Sequence, residues 1–293
     1  MTMAEWQQLL QEWACMGLEY LGKFLNSSFT IALIGALAGA YAGATAAQKV
    51  IERSRGREEL LKELRNTNAA IMVSATICNT ILGIKSQIVK PLYEKFVQDR
   101  SAFQALLTQS QTGQNQGPIR ATFAADLQSF AAPILPTETL KHLVFDGISA
   151  YGRSLSLVSM VENAAAGLTT AVAKRDRLID GFTQLRLPPD VMAFHYFGEQ
   201  APTGDTHREY ADVVEVIHSY TNDLIFFSSQ LCSELTLHGQ NKRRQFEKQF
   251  GKRAPHITEV DFTGPRNSGL FPPDSDYSSW SKWVTERTPS ASE

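Results

Sequence analysis

Apolar residues recur along this chain with the period of a helix, starting from its first residues. Between Trp6 and Phe24, large apolar side chains recur at intervals of one, three and four, which predicts an amphipathic helix within residues 1–26. Two tryptophans and a tyrosine lie on that stripe, and such rings favour the interface between a membrane and water. The same stripe would also suit packing on a helix of another copy.

A stretch without any charged residue, Phe29–Ala47, comes next. As a helix it is about 28 Å long, close to the thickness of the hydrocarbon core of a bilayer. We therefore predict one transmembrane helix over residues 27–47. The stretch owes its hydrophobicity to alanine and glycine more than to leucine, so an alanine-rich helix buried in a soluble bundle is the alternative.

Three glycines within this stretch recur every fourth residue and share one helical face: Gly35, Gly39 and Gly43. Small residues at that spacing allow two helix backbones to approach closely in lipid. The spacing therefore predicts self-association, and we expect a homo-oligomer in contact with membrane lipid.

The charges that flank the stretch are unequal. Four cations follow it closely, whereas three glutamates and one lysine precede it. An excess of cations marks the cytoplasmic side of a membrane helix. This asymmetry predicts an outside N-terminus and a cytoplasmic C-terminal portion, with the following residues as topology determinants that contact lipid phosphates: Lys49, Arg53, Arg55 and Arg57.

The helical period continues beyond the stretch to about Thr108, with Pro91 expected to kink the helix or to start a new one. Ala69–Ile84 is apolar enough to suggest a second span. Its asparagine, serine and threonine residues instead favour a buried helix of a bundle. The polar residues Gln109–Pro118 predict a surface loop.

Three further helices are predicted downstream. Thr137 is a candidate N-cap of a short helix, and a long helix over Tyr151–Leu187 ends at two prolines. Thr206–Glu209 has the pattern of a capping box and opens another long helix, which Gly239 could interrupt.

The last part of the chain has no helical period. His256–Phe262 could form one short strand, and Ser278–Trp283 could dock through its two tryptophans. The predicted fold is therefore all-α, with a single-pass transmembrane helix, an antiparallel bundle of long helices over residues 48–253, and an irregular, partly disordered tail over residues 254–293.

Composition narrows the candidate chemistry. The chain has 293 residues, of which 43% are hydrophobic and 20% are charged, as in ordinary globular proteins. Its net charge of −2 supplies no overall field for nucleic acid or for anionic membranes, and nucleic acid is an unexpected partner. Three widely separated cysteines form neither a disulfide framework nor a metal-binding pair.

Motifs for catalysis are absent from the sequence. It contains no P-loop, no dinucleotide-binding glycine motif and no pairing of a nucleophile with a base. Glu215 and His218 form one Glu-x-x-His motif, to which Glu138 and His142 could contribute, but a di-metal centre needs two such motifs and further carboxylates. We expect neither an enzyme nor a bound cofactor or metal.

The segment Asn241–Arg253 is the strongest local concentration of charge. Its cations are candidate contacts for acidic lipid headgroups, nucleic acid phosphates or an acidic protein surface. The alternative is that they complement the C-terminal end of a helix while Phe246 and Phe250 dock in the bundle. The six cations are Lys242, Arg243, Arg244, Lys248, Lys252 and Arg253.

The patterns lead to one main hypothesis and two alternatives. The main hypothesis is a single-pass membrane protein whose cytoplasmic bundle is an interaction, scaffold or sensor module with an unidentified protein partner. The first alternative is an oligomeric pore or a membrane-perturbing effector, because Thr30, Tyr41 and Thr45 add polarity to the span. The second is a soluble helical-bundle enzyme that binds metal.

Overall fold

A computed structural model describes residues 3–25, 28–112, 123–185, 188–251 and 253–283 of the chain. Within these ranges the regular structure is helical and no strand is present, so the predicted all-α class is confirmed. The chain divides into two compact units, Met1–Glu59 and Leu60–Glu293.

The first unit consists of helix α1, Met3–Leu25, and the beginning of helix α2, Ser28–Ile84. Its described side chains are exposed, apart from the half-buried Thr45 and Gly56. Thr45 donates its hydroxyl proton within its own helix, to the carbonyl oxygens of Tyr41 and Ala42 at 2.9 and 3.0 Å. An uncharged helix can therefore carry this threonine without leaving a polar group unsatisfied.

Two stretches of helix, Gly35–Ser110 and Arg153–Gln184, are long and apolar enough to cross a membrane. Length and composition alone do not separate a membrane helix from the core helix of a soluble protein. Both stretches contain residues of the core of the second unit, among them Ile71 and Leu168, which are almost completely buried.

Long helices build the second unit. The remainder of α2 continues into α3, Lys90–Gln111, and packs with α5, Arg153–Leu185, and α7, Glu209–Phe250. Shorter helices are α4, Thr137–Phe145, and α6, Pro189–Phe197.

Helix α7 is antiparallel to the other long helices of this unit. Along α2, the contacts pass from Glu63 with His238 to Ser74 with Ser228. Along α5, they pass from Arg153 with Glu234 to Arg175 with Tyr210. In both cases residue numbers rise on one helix and fall on α7, as in an antiparallel bundle.

Small polar residues line the contact between α2 and α7. The Ser74 hydroxyl donates to the carbonyl oxygen of Ser228 at 2.8 Å, and both serines are buried. The Cys78 thiol donates to the carbonyl of Ile225, and the Cys232 thiol to that of Ile71. Small side chains allow the two backbones to approach closely, and each polar group finds a partner on the facing helix. Ala69–Ile84 is thus a helix of the bundle core, as its polar residues predicted.

A second core of aromatic residues lies where α3, α5, α6 and α7 meet. Its centre contains Phe96, Phe197 and Tyr210, and Tyr196 stacks on Tyr210 with ring centroids 4.6 Å apart. Arg175, only 1% exposed, donates from Nη1 to the carbonyl of Gln128 and from Nη2 to that of Asp126, which fixes the extended segment beside this core.

A single turn of π-helix, Lys85–Val89, joins α2 to α3 and ends two residues before Pro91. Proline lacks the backbone N–H of a helix interior and crowds the carbonyl of the residue four positions before it. A widened turn at this point accommodates that defect. Pro91 accordingly lies in the first turn of α3, and a new helix starts at the proline as the sequence suggested.

Several predicted helix ends were wrong. Helix α7 begins at Glu209 after Arg208 and has no side-chain cap, and Thr206 forms a backbone bridge with Gln200. Thr137 is the first residue of α4 rather than its cap, and α3 extends to Gln111, into the predicted loop. Residues 113–122, the rest of that loop and more, lie outside the described residues.

Gly239 does not interrupt α7, which is continuous to Phe250. A methyl group at Gly239 would lie 3.0 Å from Ile257 and 3.1 Å from Thr67. The glycine therefore permits close packing of neighbouring segments, and a lone glycine in a buried helix does not break it.

The tail is docked, and its described residues form no strand. Asn68 donates to the carbonyl oxygen of His256 at 2.8 Å and accepts the N–H of Thr258 at 2.9 Å. The backbone of this segment thus pairs with an asparagine side chain, whereas a strand would pair with a neighbouring strand. Short helical turns follow: α8, Thr263–Asn267, a 3₁₀ turn at Asp274–Tyr277, and α9, Ser278–Trp283. Trp280 packs on Phe226 and Phe227, as expected for a docking tryptophan.

Candidate functional site

The three glycines predicted to mediate self-association are exposed in the first unit. Gly35, Gly39 and Gly43 lie in α2, and a methyl group at any of them has open space around it. Leu33, Leu37 and Tyr41 in the same helix are also exposed. The structure places an accessible small-residue face in the stretch without charge, and the partner of that face remains a prediction.

The four cations after the stretch are exposed as well. Within the described chain, Lys49, Arg53, Arg55 and Arg57 form no ion pair. Their charges are therefore available to groups outside the chain, as topology determinants require.

The basic segment of α7 separates into two groups. Lys242 pairs with Glu63 at 3.2 Å, and Arg243 pairs with Glu247 at 3.2 Å. Arg244, Lys248 and Arg253 are exposed, whereas Lys252 lies outside the described residues. The structure therefore uses two of the predicted anion contacts internally and leaves three facing solvent.

Glu63 is the centre of a polar cluster that sequence analysis did not identify. Its carboxylate accepts hydrogen bonds from the backbone N–H of Ser149 at 3.0 Å, from the Ser149 hydroxyl, and from His238 Nε2 at 3.0 Å. Burial alone would raise the pKa of this carboxyl, but the Ser149 hydrogen bonds and the charge of Lys242 outweigh burial and hold it below its usual value. Glu63 thus joins α2, α7 and the segment after α4.

Lys85, in the π-helical turn, is buried and has no carboxylate partner among the described residues. Its Nζ donates to Asn222 Oδ1 and to the carbonyl oxygen of Leu270, each at 2.6 Å. Burial lowers the pKa of Lys85 to about 8, and the nearby charge of Lys90 acts in the same direction. Because Leu270 belongs to the tail, the docked tail accepts one of these two hydrogen bonds from the ammonium group.

A tyrosine of the tail forms the next contact. The Tyr277 hydroxyl donates to Asp223 Oδ1 at 2.8 Å, and its ring stacks on Phe226 with centroids 3.8 Å apart. Burial raises the pKa of the Asp223 carboxyl, although the hydrogen bond from Tyr277 opposes this shift. Charged, polar and aromatic contacts together hold the tail on the middle of α7.

Glu215 and His218, the one Glu-x-x-His motif, engage separate partners. Glu215 accepts a hydrogen bond from Arg100 Nη1 at 3.1 Å. His218 stacks on Tyr93 with ring centroids 3.9 Å apart, its Nδ1 is buried without a partner, and burial together with the charge of Lys85 lowers its pKa. His142 pairs with Asp146. Across the ranges that the structure describes, no group of three His, Cys, Asp or Glu side chains could hold a metal ion.

Sequence reasoning missed the Glu63 cluster and the Lys85 site for the same reason. Their members are 86 and 137 residues apart in the chain, as for Glu63 with Ser149 and Lys85 with Asn222. The pattern of charges near Glu63 predicted an exposed helix face, and no local pattern marked Lys85. Comparison of the chain with protein-family models, curated proteins and solved structures finds no match.

Proposed function

We propose that this chain is a single-pass membrane protein whose helical bundle acts as an interaction, scaffold or sensor module in the cytoplasm. The first unit anchors the chain, and copies associate through Gly35, Gly39 and Gly43 in the membrane. Leu60–Glu293 forms the module that meets a protein partner.

The single observation that carries the proposal is the exposure of large apolar side chains in the first unit. Trp13 is 70% exposed, Leu37 is 63% exposed and Tyr41 is 75% exposed. A bilayer covers large apolar side chains that would otherwise face water. The exposed cations that follow the stretch support the same location and a cytoplasmic bundle.

The second unit supports the role of a module because it has its own buried core and also keeps apolar groups on its surface. Ile134 is fully exposed beside the small residues Ala166 and Thr170 of α5. Val216 of α7 is also partly exposed and lies beside the same face of α5. A rigid scaffold with an accessible apolar face suits binding to another protein.

Carbonate extraction of membranes that contain the full chain tests the anchor. We expect the protein to stay in the membrane pellet, because alkaline carbonate releases peripheral proteins and leaves membrane-spanning helices in the bilayer. Leu37→Arg should move a substantial fraction to the supernatant, since an arginine at the centre of a span costs about 3 kcal/mol.

Leu237→Arg is the matched control, because Leu237 is also an exposed leucine, on α7 of the bundle. It should leave the fractionation unchanged. Release of the unmodified protein by carbonate would refute the anchor. A reporter at each end of the chain would measure the orientation, and an N-terminus on the cytoplasmic side would refute the proposed topology.

A further inference from the structure

The last turns of α7 have one buried side and one basic side. Phe246 and Phe250 are buried, at 1% and 9% exposure. Arg244 and Lys248, two residues before each phenylalanine, are exposed. Two residues correspond to about 200° around a helix, so burial of the phenylalanines directs both cations away from the core.

The acids near this segment do not neutralise its exposed cations. Glu247 pairs with Arg243 and also accepts the backbone N–H of Ala254 at 3.4 Å. Glu259 accepts a hydrogen bond from Gln240 at 3.2 Å. Within the described ranges, Arg244, Lys248 and Arg253 take part in no ion pair.

The position of this segment in the second unit is set by the Glu63 cluster. His238 and Lys242 of α7 both contact Glu63, which lies close in the chain to Leu60, the first residue of the second unit. The turns of α7 that follow Lys242 therefore lie at the same end of the unit as Leu60. Lys62 and Arg65 are exposed on α2 at the same end. We call these five exposed cations the basic end: Lys62, Arg65, Arg244, Lys248 and Arg253.

We propose that the basic end binds the headgroups of anionic phospholipids. The inference rests on the proposed function, because the anchor would tether the bundle to a bilayer. Leu60 follows Ala47, the end of the stretch without charge, by only thirteen residues in the sequence. Such a tether makes contact between the basic end and the lipid intramolecular. Clusters of four to eight cations close to a membrane helix typically bind anionic lipid.

A membrane surface fits these residues better than nucleic acid does. Proteins that bind single strands stack bases on exposed aromatic rings, but Phe246 and Phe250 are buried. The net charge of −2 supplies no overall field for either partner, so the tether to a bilayer, which nucleic acid lacks, favours the membrane surface. Binding to a surface of negative headgroups requires only exposed cations that can reach that surface.

The full chain in lipid nanodiscs tests this inference. A fluorophore is attached to Gln249→Cys in a Cys15→Ser background, and its quenching by nitroxide-labelled headgroups is compared in neutral bilayers and in bilayers with about 30% phosphatidylserine. Gln249 and Cys15 are exposed, whereas Cys78 and Cys232 are buried. We expect stronger quenching with phosphatidylserine and loss of that gain in about 0.5 M salt, where charges are screened.

The variant Arg244→Gln/Lys248→Gln/Arg253→Gln should abolish the gain. Three cations together account for about a hundredfold in the ratio of docked to undocked bundle. Lys174→Gln/Arg177→Gln, which removes two exposed cations from α5, is the control at another surface and should keep the gain.

Two results would overturn the inference. One is equal quenching in neutral and anionic bilayers by protein that has entered the nanodiscs. The other is a response to an added oligonucleotide, or to inorganic phosphate in neutral bilayers, without a response to phosphatidylserine. Failure of the chain to enter the nanodiscs at all would instead refute the anchor, so the two proposals fail in distinguishable ways.

Discussion

Individual polar residues determine how the segments of the bundle are joined. Glu63 connects α2 with α7 and with Ser149, and Asn68 holds the tail through its amide. Both sit within the helical pattern of α2, and sequence alone gave no sign of their partners. Partner choice depends on which distant segments meet, so these contacts could be identified only from the structure.

Glu63→Gln is expected to destabilise the full chain in detergent by about 1–2 kcal/mol at pH 7, because the charge-assisted bonds to His238 and Lys242 are lost. The folded-state pKa of Glu63 is lowered, so its contribution is present above its unfolded value of 4.5 and is lost as pH falls through the folded value. Thermal unfolding of both proteins should therefore converge at acidic pH.

Glu162→Gln is the control for Glu63→Gln, because it removes a carboxylate from a more exposed ion pair. Glu162 pairs with Lys141 at 2.9 Å, but both side chains are more than a third exposed. An exposed pair contributes little, so this variant should differ from the unmodified chain by at most about 0.5 kcal/mol. If both substitutions had equal effects, burial of Glu63 would not matter to stability.

At the scale of elements, the period of apolar residues predicted the long helices well and their ends poorly. It located α5 and α7 because burial recurs over many turns. It misplaced the start of α7, which begins at Glu209 without the predicted capping box. Helix ends depend on a few weak contacts, whereas helix interiors depend on the whole core.

Two glycines of α5 should respond oppositely to alanine. A methyl group at Gly167 would lie 2.4 Å from the ring of Tyr220, so Gly167→Ala should destabilise the fold by about 1–3 kcal/mol. Gly181 has open space around it, and Gly181→Ala should stabilise the helix by up to about 1 kcal/mol. Thermal unfolding measures both, and a stabilising Gly167→Ala would contradict the packing of Tyr220 on α5.

At the scale of the whole molecule, the division into two units follows the composition of the chain. The uncharged stretch and its flanks belong to the unit with exposed apolar residues, and the core begins at Leu60. Sequence predicted an all-α chain with a bundle and a docking segment at Ser278–Trp283, but the contacts of Asn68 and Lys85 with the tail and the second, aromatic core emerged only from the structure. Aromatic residues from four helices and a loop pack together there. The apolar period of a single segment does not predict which distant segments will contact one another.

Self-association is the prediction that belongs to this scale. Gly39→Leu should weaken association in micelles by about tenfold or more, measured by energy transfer between labelled copies, because a large side chain separates helices that meet at small residues. Tyr41→Leu is the control, since Tyr41 lies about 200° away on the same helix. Equal association of the two variants would exclude the glycine face as the contact.

The π-helical turn at Lys85–Val89 changes the phase of the helix that passes through it. One extra residue in a turn displaces everything after it by about 100° around the axis. Buried positions before the turn, such as Ile81, line the main core, and those after it, such as Phe96, line the aromatic core. The turn therefore lies within one continuous run of helix, whose earlier part packs in the main core and whose later part packs in the aromatic core.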